Sequence, residues 1–375
     1  MVTEIAEHLS PAFGDNDIDL SGRLLMSAPT EAHAHLDKAL TADDVANPEG
    51  DLAGAIAHWQ AYRPTLSVES IALRAERAAR MMLANGTTSI RTHVDVADDI
   101  GVRGVEAIDR VRRVLAGLID IQIVALVGRP TTGMAGAGNR AALRDAIQAG
   151  ADVVGGCPHL DAEPERCARY LLELAAELDR SIDLHADETL DIGSTDVATM
   201  ARWVRRNGFN RTVAASHSVS MVMTDESAQR ALADELAEAK VGIITLPQTN
   251  LYLLGRDRQV ATPRSLAPVR ALLRANVVVA AGADNLQDPF NPVGRADAFE
   301  TASLLISAGH VSPAQAWDAV TSAPRRLMGL PAAGPVVGQV ADLVALPAAS
   351  LREAIAMAPS PRLVLRRGVV VSDRS

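Results

Sequence analysis

His33 and His35 stand two residues apart in the run Glu31-Ala32-His33-Ala34-His35-Leu36-Asp37. On an extended strand such positions share a face, so both imidazoles can grip one ion. An isolated HxH pair is more often a surface or core feature than a metal site, so its partners must decide. His185-Ala186-Asp187-Glu188, Ser216-His217-Ser218 and Gly282-Ala283-Asp284-Asn285 each close a short apolar run, and His93 and His159 close two more. Six of the nine histidines (33, 35, 93, 159, 185 and 217) therefore fall where such runs end. Histidines serving only solvation or core packing would not gather this way. Neutral imidazoles with a carboxylate suit Zn²⁺ or Fe²⁺, and such an ion lowers the pKa of its water toward about 7. The expected cofactor is one divalent metal ion, zinc or iron, and the expected chemistry is hydrolysis. Glu188, three residues past His185, could reach a substrate without binding the metal, as a proton shuttle does. Its plain alternative is a solvated loop carboxylate.

These groups need a frame that aims them at one point. β-branched runs alternate with longer Ala/Leu/Arg-rich stretches of helical period, the pattern of a parallel sheet. Candidate strands cover 29–36, 87–94, 119–127, 152–156, 181–185, 213–216, 241–246 and 277–282. Between them lie helical segments such as 68–83, stopped by Gly86. Eight such units predict an α/β fold, a (β/α)₈ TIM barrel over 29–329, with an open doubly wound sheet as the weaker alternative. Active sites of such barrels lie at the C-terminal ends of the strands, where the histidines collect. The chain ends break the rhythm. A strand signal at 19–25 and two more at 341–346 and 363–371, the last with a turn at Arg367-Gly368, predict a small β-sandwich subdomain from 1–28 and 330–375. Segments 41–67, with Trp59 and Tyr62, and the Gly-rich 129–140 read as loops, either plain surface or lids.

With 375 residues and 48% hydrophobic content the chain can bury a large core, which at 3% aromatic residues must be aliphatic. A net charge of −10 argues against nucleic acid or an anionic membrane and leaves a small-molecule substrate as the expected partner. Cys157 and Cys167 form no CxxC pair, which fits a cytoplasmic protein without a disulfide scaffold. No signal peptide is apparent at the N-terminus, and no apolar run is long enough to span a bilayer. The outer helices of such a barrel offer surfaces for a homo-oligomer. Lysine occurs only at 38 and 240, so a mechanism needing a mid-chain lysine has almost no candidates.

The runs HAHLDK (33–38), GTTSIRTHVDV (86–96), HADE (185–188), ASH (215–217) and DNLQDPFNP (284–292) together resemble the amidohydrolase superfamily. The likeness is closest to its cytosine deaminase-like branch, which includes N-isopropylammelide amidohydrolases. DIQIVAL (120–126), GADVVGGCPH (150–159) and GQVADLVAL (338–346) extend it over nearly the whole chain from about Ser21. The resemblance implies that His33, His35, His185 and Asp284 bind one metal. It implies that Glu188 carries a proton from metal-bound water to a ring nitrogen, that His217 orients or polarises the attacking hydroxide, and that Asp284 accepts its proton. Binuclear relatives add a carboxylated lysine on the fourth strand, which this chain lacks, so the resemblance implies a mononuclear site.

Two departures bear on substrate. Cytosine deaminases carry Pro-Gln-Glu-Gly after the third strand, where this chain has Val127-Gly128-Arg129-Pro130, and an Asp where this chain has Asn285. An amide in place of a carboxylate adds donors to an acceptor-only position, which counts against cytosine itself. Arg129 either faces the pocket, favouring a carboxylate or an electron-rich carbonyl, or is a surface arginine. Asn285, His159, Arg129 and Gln248 are the candidate substrate contacts, Gln248 being equally readable as a helix-start polar group. His93 reads as support for a ligand. Trp59 reads as a pocket cap or as packing against the outer helices. The expected function is hydrolytic deamination of an amino-substituted nitrogen heterocycle of pyrimidine or triazine type. The alternative is displacement of an alkylamine or opening of a cyclic amide at the same site. A non-catalytic binding protein, which needs no proton shuttle, is the rival from another class.

Overall fold

The computed structural model describes residues 1–5 and 17–373; residues 6–16 of the anticipated terminal segment lie outside the described residues. Among the described residues the first nine strands along the chain are β1 (Leu24–Ser27), β2 (Thr30–Ala34), β3 (Ser89–Val96), β4 (Asp120–Val127), β5 (Val153–Gly156), β6 (Ser181–Ala186), β7 (Val213–His217), β8 (Val241–Thr245) and β9 (Val279–Ala281). From β2 to β9 they run parallel, in sequence order, with helices between them. Apart from three half-buried positions on β4 and β6, every residue of these eight strands is buried. Strands covered on both faces have no polar side to show, which is why they read as unbroken apolar runs.

The ring closes between its first and last strands. Asp284 N donates to His33 O at 2.9 Å and His35 N to Asp284 O at 3.2 Å, a parallel bridge just past β9. Glu31 clamps this seam from inside, its carboxylate accepting from His33 N at 3.0 Å and Ala283 N at 3.1 Å. Burial pushes the Glu31 carboxyl up to about 8. A Cβ on Gly282 would stand 2.4 Å from Glu31 Oε1, so closure requires glycine there. The barrel is thus a (β/α)₈ TIM barrel, as its sequence pattern indicates.

The helix α2 (Val68–Ala84) shows how the outer layer is specified. Ser67 caps it through Ser70 N, Ile71, Ala75, Ala78 and Met82 bury one face, and Gly86 leaves it at φ +106°. The segment 41–67 is not a plain loop. It holds α1 (Leu52–Tyr62), capped by Asp51 through Gly54 N at 2.8 Å, and α1 buries Trp59. The Gly-rich segment is pinned rather than loose: Thr131 N donates to Asp161 Oδ2 at 2.7 Å, and Arg140 Nη1 to Thr131 O at 2.7 Å.

The chain ends form a four-stranded antiparallel sheet, in the order β1, β10 (Leu343–Leu346), β11 (Leu363–Arg366), β12 (Val369–Asp373). Arg367 and Gly368, both at positive φ, make the turn between the last two strands. The first strand begins later than its sequence signal. Asp19 Oδ1 accepts from Ser21 N at 2.9 Å and Gly22 sits at φ +74°, so 19–22 is spent on a turn.

Candidate metal centre and active site

β2, β6 and the end of β9 converge at the C-terminal mouth of the barrel. His35 Nε2 lies 3.3 Å from His33 Nε2, 3.3 Å from His185 Nε2 and 3.3 Å from Asp284 Oδ1, and His33 Nε2 lies 3.5 Å from the same oxygen. Two donors around a tetrahedral ion at about 2.0–2.1 Å are about 3.4 Å apart. All four side chains are buried, and neither oxygen of Asp284 has a hydrogen-bond partner. A buried carboxylate left so is costly unless an ion compensates it. Burial, together with the other imidazoles, pushes His33 and His185 well below the usual histidine range, so both stay neutral, the form that donates to a metal. By spacing, burial and protonation these side chains fit a divalent ion.

A hydrogen-bonded chain aims His33. Ser216 gives its one hydroxyl proton to Asp183 Oδ1 at 2.8 Å, so its oxygen accepts from His33 Nδ1 at 2.8 Å. His33 Nε2 is thereby left bare toward the cluster. Asp183 stays ionised: burial would raise it, but His93 and Arg91 hold it at about 2. Arg91, fully buried in the barrel, donates to Asp183 Oδ2 at 2.8 Å, Gln122 Oε1 at 2.8 Å and Leu327 O at 3.0 Å. His93 stacks on His33 with ring centres 3.8 Å apart. The expected support role for His93 has this geometry, whereas Asp183, and Ser216 and Arg91 inside their motifs, have no role assigned from sequence.

Glu188 and His217 face the same pocket as His35, His185 and Asp284. Glu188 Oε1 lies 3.2 Å from His217 Nδ1, and Asn250 Nδ2 lies 3.0 Å from that nitrogen and 3.3 Å from that oxygen. Burial and the nearby Asp284 charge push the Glu188 carboxyl well up. Burial brings His217 down to about 4. His217 at φ +70° and Asp284 at φ +64° occupy the left-handed region, where non-glycine residues are uncommon and cluster at functional sites. The walls are largely apolar, with Leu52, Ile56, Trp59, Leu160 and Phe290.

Lys38 also lines this pocket. Its buried ammonium donates to Asp95 Oδ1 at 2.7 Å and Asp37 Oδ2 at 3.2 Å, while Asp95 Oδ2 accepts from Trp59 Nε1 at 2.8 Å and Arg63 Nη1 at 3.0 Å. This resolves the two options for Trp59: it is both buried and part of the pocket wall. Among the candidate substrate contacts, Asn285 and Arg129 line the pocket, Arg129 exposed at its mouth. Asn285 Nδ2 donates to Asp288 Oδ2 at 2.8 Å and its Oδ1 accepts from Thr249 at 3.3 Å. His159 lies beside the pocket in an adjoining groove, Nδ1 3.2 Å from His185 O, and burial brings it down to about 3. Gln248 is not brought to the pocket; its Nε2 donates to Thr301 Oγ1 at 2.7 Å, and Thr249 takes its place in the lining.

Residues 52–372 match the sequence profile of the amidohydrolase family. The chain belongs to the amidohydrolase family. The match starts after His33 and His35, which the geometry joins to the rest. This amidohydrolase is 32% identical to the pterin deaminase of Rhizobium rhizogenes (strain K84 / ATCC BAA-868), over 95% of this chain and 82% of the relative. It is 27% identical to the N-isopropylammelide isopropyl amidohydrolase of Pseudomonas sp. (strain ADP), over 96% of this chain and 88% of the relative. Among solved structures it superposes with a TM-score of 0.90 and 29% identity on 5-methylcytosine deaminase from Klebsiella pneumoniae liganded with phosphonocytosine, covering 99% and 92% of the two chains. These relatives fall in the cytosine deaminase-like branch that the motifs resemble. The protein is a hydrolase of carbon–nitrogen bonds other than peptide bonds, and no helix among the described residues is long and apolar enough to cross a membrane.

Proposed function

We propose that this amidohydrolase is a mononuclear metal-dependent deaminase of an amino-substituted nitrogen heterocycle. One observation carries the reading: a buried carboxyl, Glu188, faces an apolar pocket floored by three convergent imidazoles and Asp284. A flat ring suits walls of Trp59, Phe290, Leu52 and Ile56. The deaminases of pterin and 5-methylcytosine among its relatives support the same class.

The reaction adds the oxygen of water to the ring carbon bearing the amino group and releases ammonia, leaving a ring carbonyl. Held by His33, His35, His185 and Asp284, a zinc or iron(II) ion would bring the pKa of water near about 7. Glu188 would take a proton from the attacking water and deliver it to a ring nitrogen, a transfer its raised carboxyl pKa favours near neutrality. His217 Nε2, buried without a partner, would hydrogen-bond the attacking oxygen. An unpaired oxygen of Asp284 would accept the second proton and pass it to the departing amine. Arg129 at the mouth would draw in a carboxylate or an electron-rich carbonyl, and Asn285 would meet the ring edge. That β5, VVGG, offers no lysine supports a single ion. The two free cysteines suit a cytoplasmic setting.

The metal-loaded protein should release ammonia from at least one member of a panel of aminopyrimidines, pterins and aminotriazines, with the ring intact by mass spectrometry. Silence across the panel at one metal per chain would overturn the reading. The N-isopropylammelide relative favours a second one, displacement of an alkylamine, which the same panel distinguishes by free amine instead of ammonia.

A further inference from the structure

Asn250 lies in the short helix Pro247–Leu253 that follows β8, fully buried. Its amide nitrogen forms one corner of a triangle with His217 Nδ1 (3.0 Å) and Glu188 Oε1 (3.3 Å), themselves 3.2 Å apart. The backbone N of Asn250 donates to Leu246 O at 3.1 Å, fixing the side chain's origin. A primary amide carries two N–H donors, and here a carboxylate oxygen and a ring nitrogen stand within their reach. The reversed amide would set its oxygen against a carboxylate oxygen.

We propose that Asn250 is a positioning residue that fixes the histidine tautomer and the carboxyl rotamer on which the proposed deamination rests. If Nδ1 of His217 accepts from Asn250, its ring proton sits on Nε2, the atom left unpartnered at the pocket. His217 then offers a neutral N–H to a developing oxyanion without having to titrate. With Oε1 engaged by the amide, Oε2 of Glu188 is the oxygen that carries the transferred proton. Asn250 need touch neither substrate nor metal to do this.

The test reads the tautomer directly and does not need turnover. In zinc-loaded protein labelled with ¹⁵N in the histidine rings, His217, assigned by loss of its signals in His217→Asn, should show a protonated Nε2 and a bare Nδ1. Asn250→Ala should mix the two tautomers, and Asn250→Asp should move the proton to Nδ1. Both variants should keep one zinc per chain and lose about 10–100-fold in kcat at nearly constant KM, the scale of an outer-shell orienting contact. A Nδ1-protonated His217 in the unmodified protein would overturn the proposal, whatever the variants do. So would a tautomer unchanged in a folded Asn250→Ala. If no heterocycle is deaminated yet the tautomer shifts as stated, the assignment of Asn250 stands and the proposed reaction falls.

Discussion

In the proposed reaction the side chains divide by whether they would hold an ion, move a proton or aim those that do. Glu188→Gln keeps the shape and removes the titratable group. The variant should bind metal normally, as elemental analysis would show, while ammonia release falls by about 10²–10⁴-fold, the usual contribution of a positioned proton-transfer group. Ser216→Ala addresses aim. It frees His33 Nδ1 from the Asp183 chain, and metal affinity, measured by competition with a chelator, should drop about 10–100-fold. At this scale the sequence was informative where residue type and spacing coincide, as in His33-Ala34-His35 and His185-Ala186-Asp187-Glu188. It was silent on Asn250, whose residue type also suits an ordinary helix start, and on the pairing of Lys38 with Asp95, 57 residues away. Gln248 shows the same limit: one residue's rotation on the helix after β8 turns it toward Thr301 and gives the pocket to Thr249.

Strands were legible because burial on both faces leaves an unbroken apolar signature, and their ends were placed within about two residues for the same reason. The segment over 41–67 was harder. α1 has little amphipathic contrast, burying only Ala55 and Trp59, so its composition reads as loop although Asp51 caps it properly. The positive φ of His217 and Asp284, which turns each side chain off its strand, has no counterpart in composition because neither residue is glycine. The seam between β2 and β9 makes an element-scale prediction. Gly282→Ala places a methyl within 2.4 Å of Glu31 Oε1 and should destabilise the fold by about 1–3 kcal/mol, the range for overpacking. Thermal melts of metal-free protein would register this, and an unchanged midpoint would show that the seam can open to admit the group.

For the whole molecule, four proposed ligands drawn from β2, β6 and the loop after β9 make ion binding and folding one equilibrium. A ligand that binds only the folded state stabilises it by about 4 kcal/mol at a thousandfold excess over its Kd. Zinc should therefore raise the melting midpoint, and exhaustive chelation should lower it and abolish turnover, with recovery when zinc is restored. Failure of the midpoint to respond would mean that the cluster binds no ion in the folded state. The seam also has a consequence for synthesis. His33 and His35 leave the ribosome early, but Asp284 and the backbone bridge that closes the ring arrive some 250 residues later. Until then the first two imidazoles have no carboxylate opposite them, and the proposed four-ligand site is incomplete. Completion of the proposed site is thereby a late mark of synthesis: only a polypeptide translated through its last barrel strand presents all four side chains.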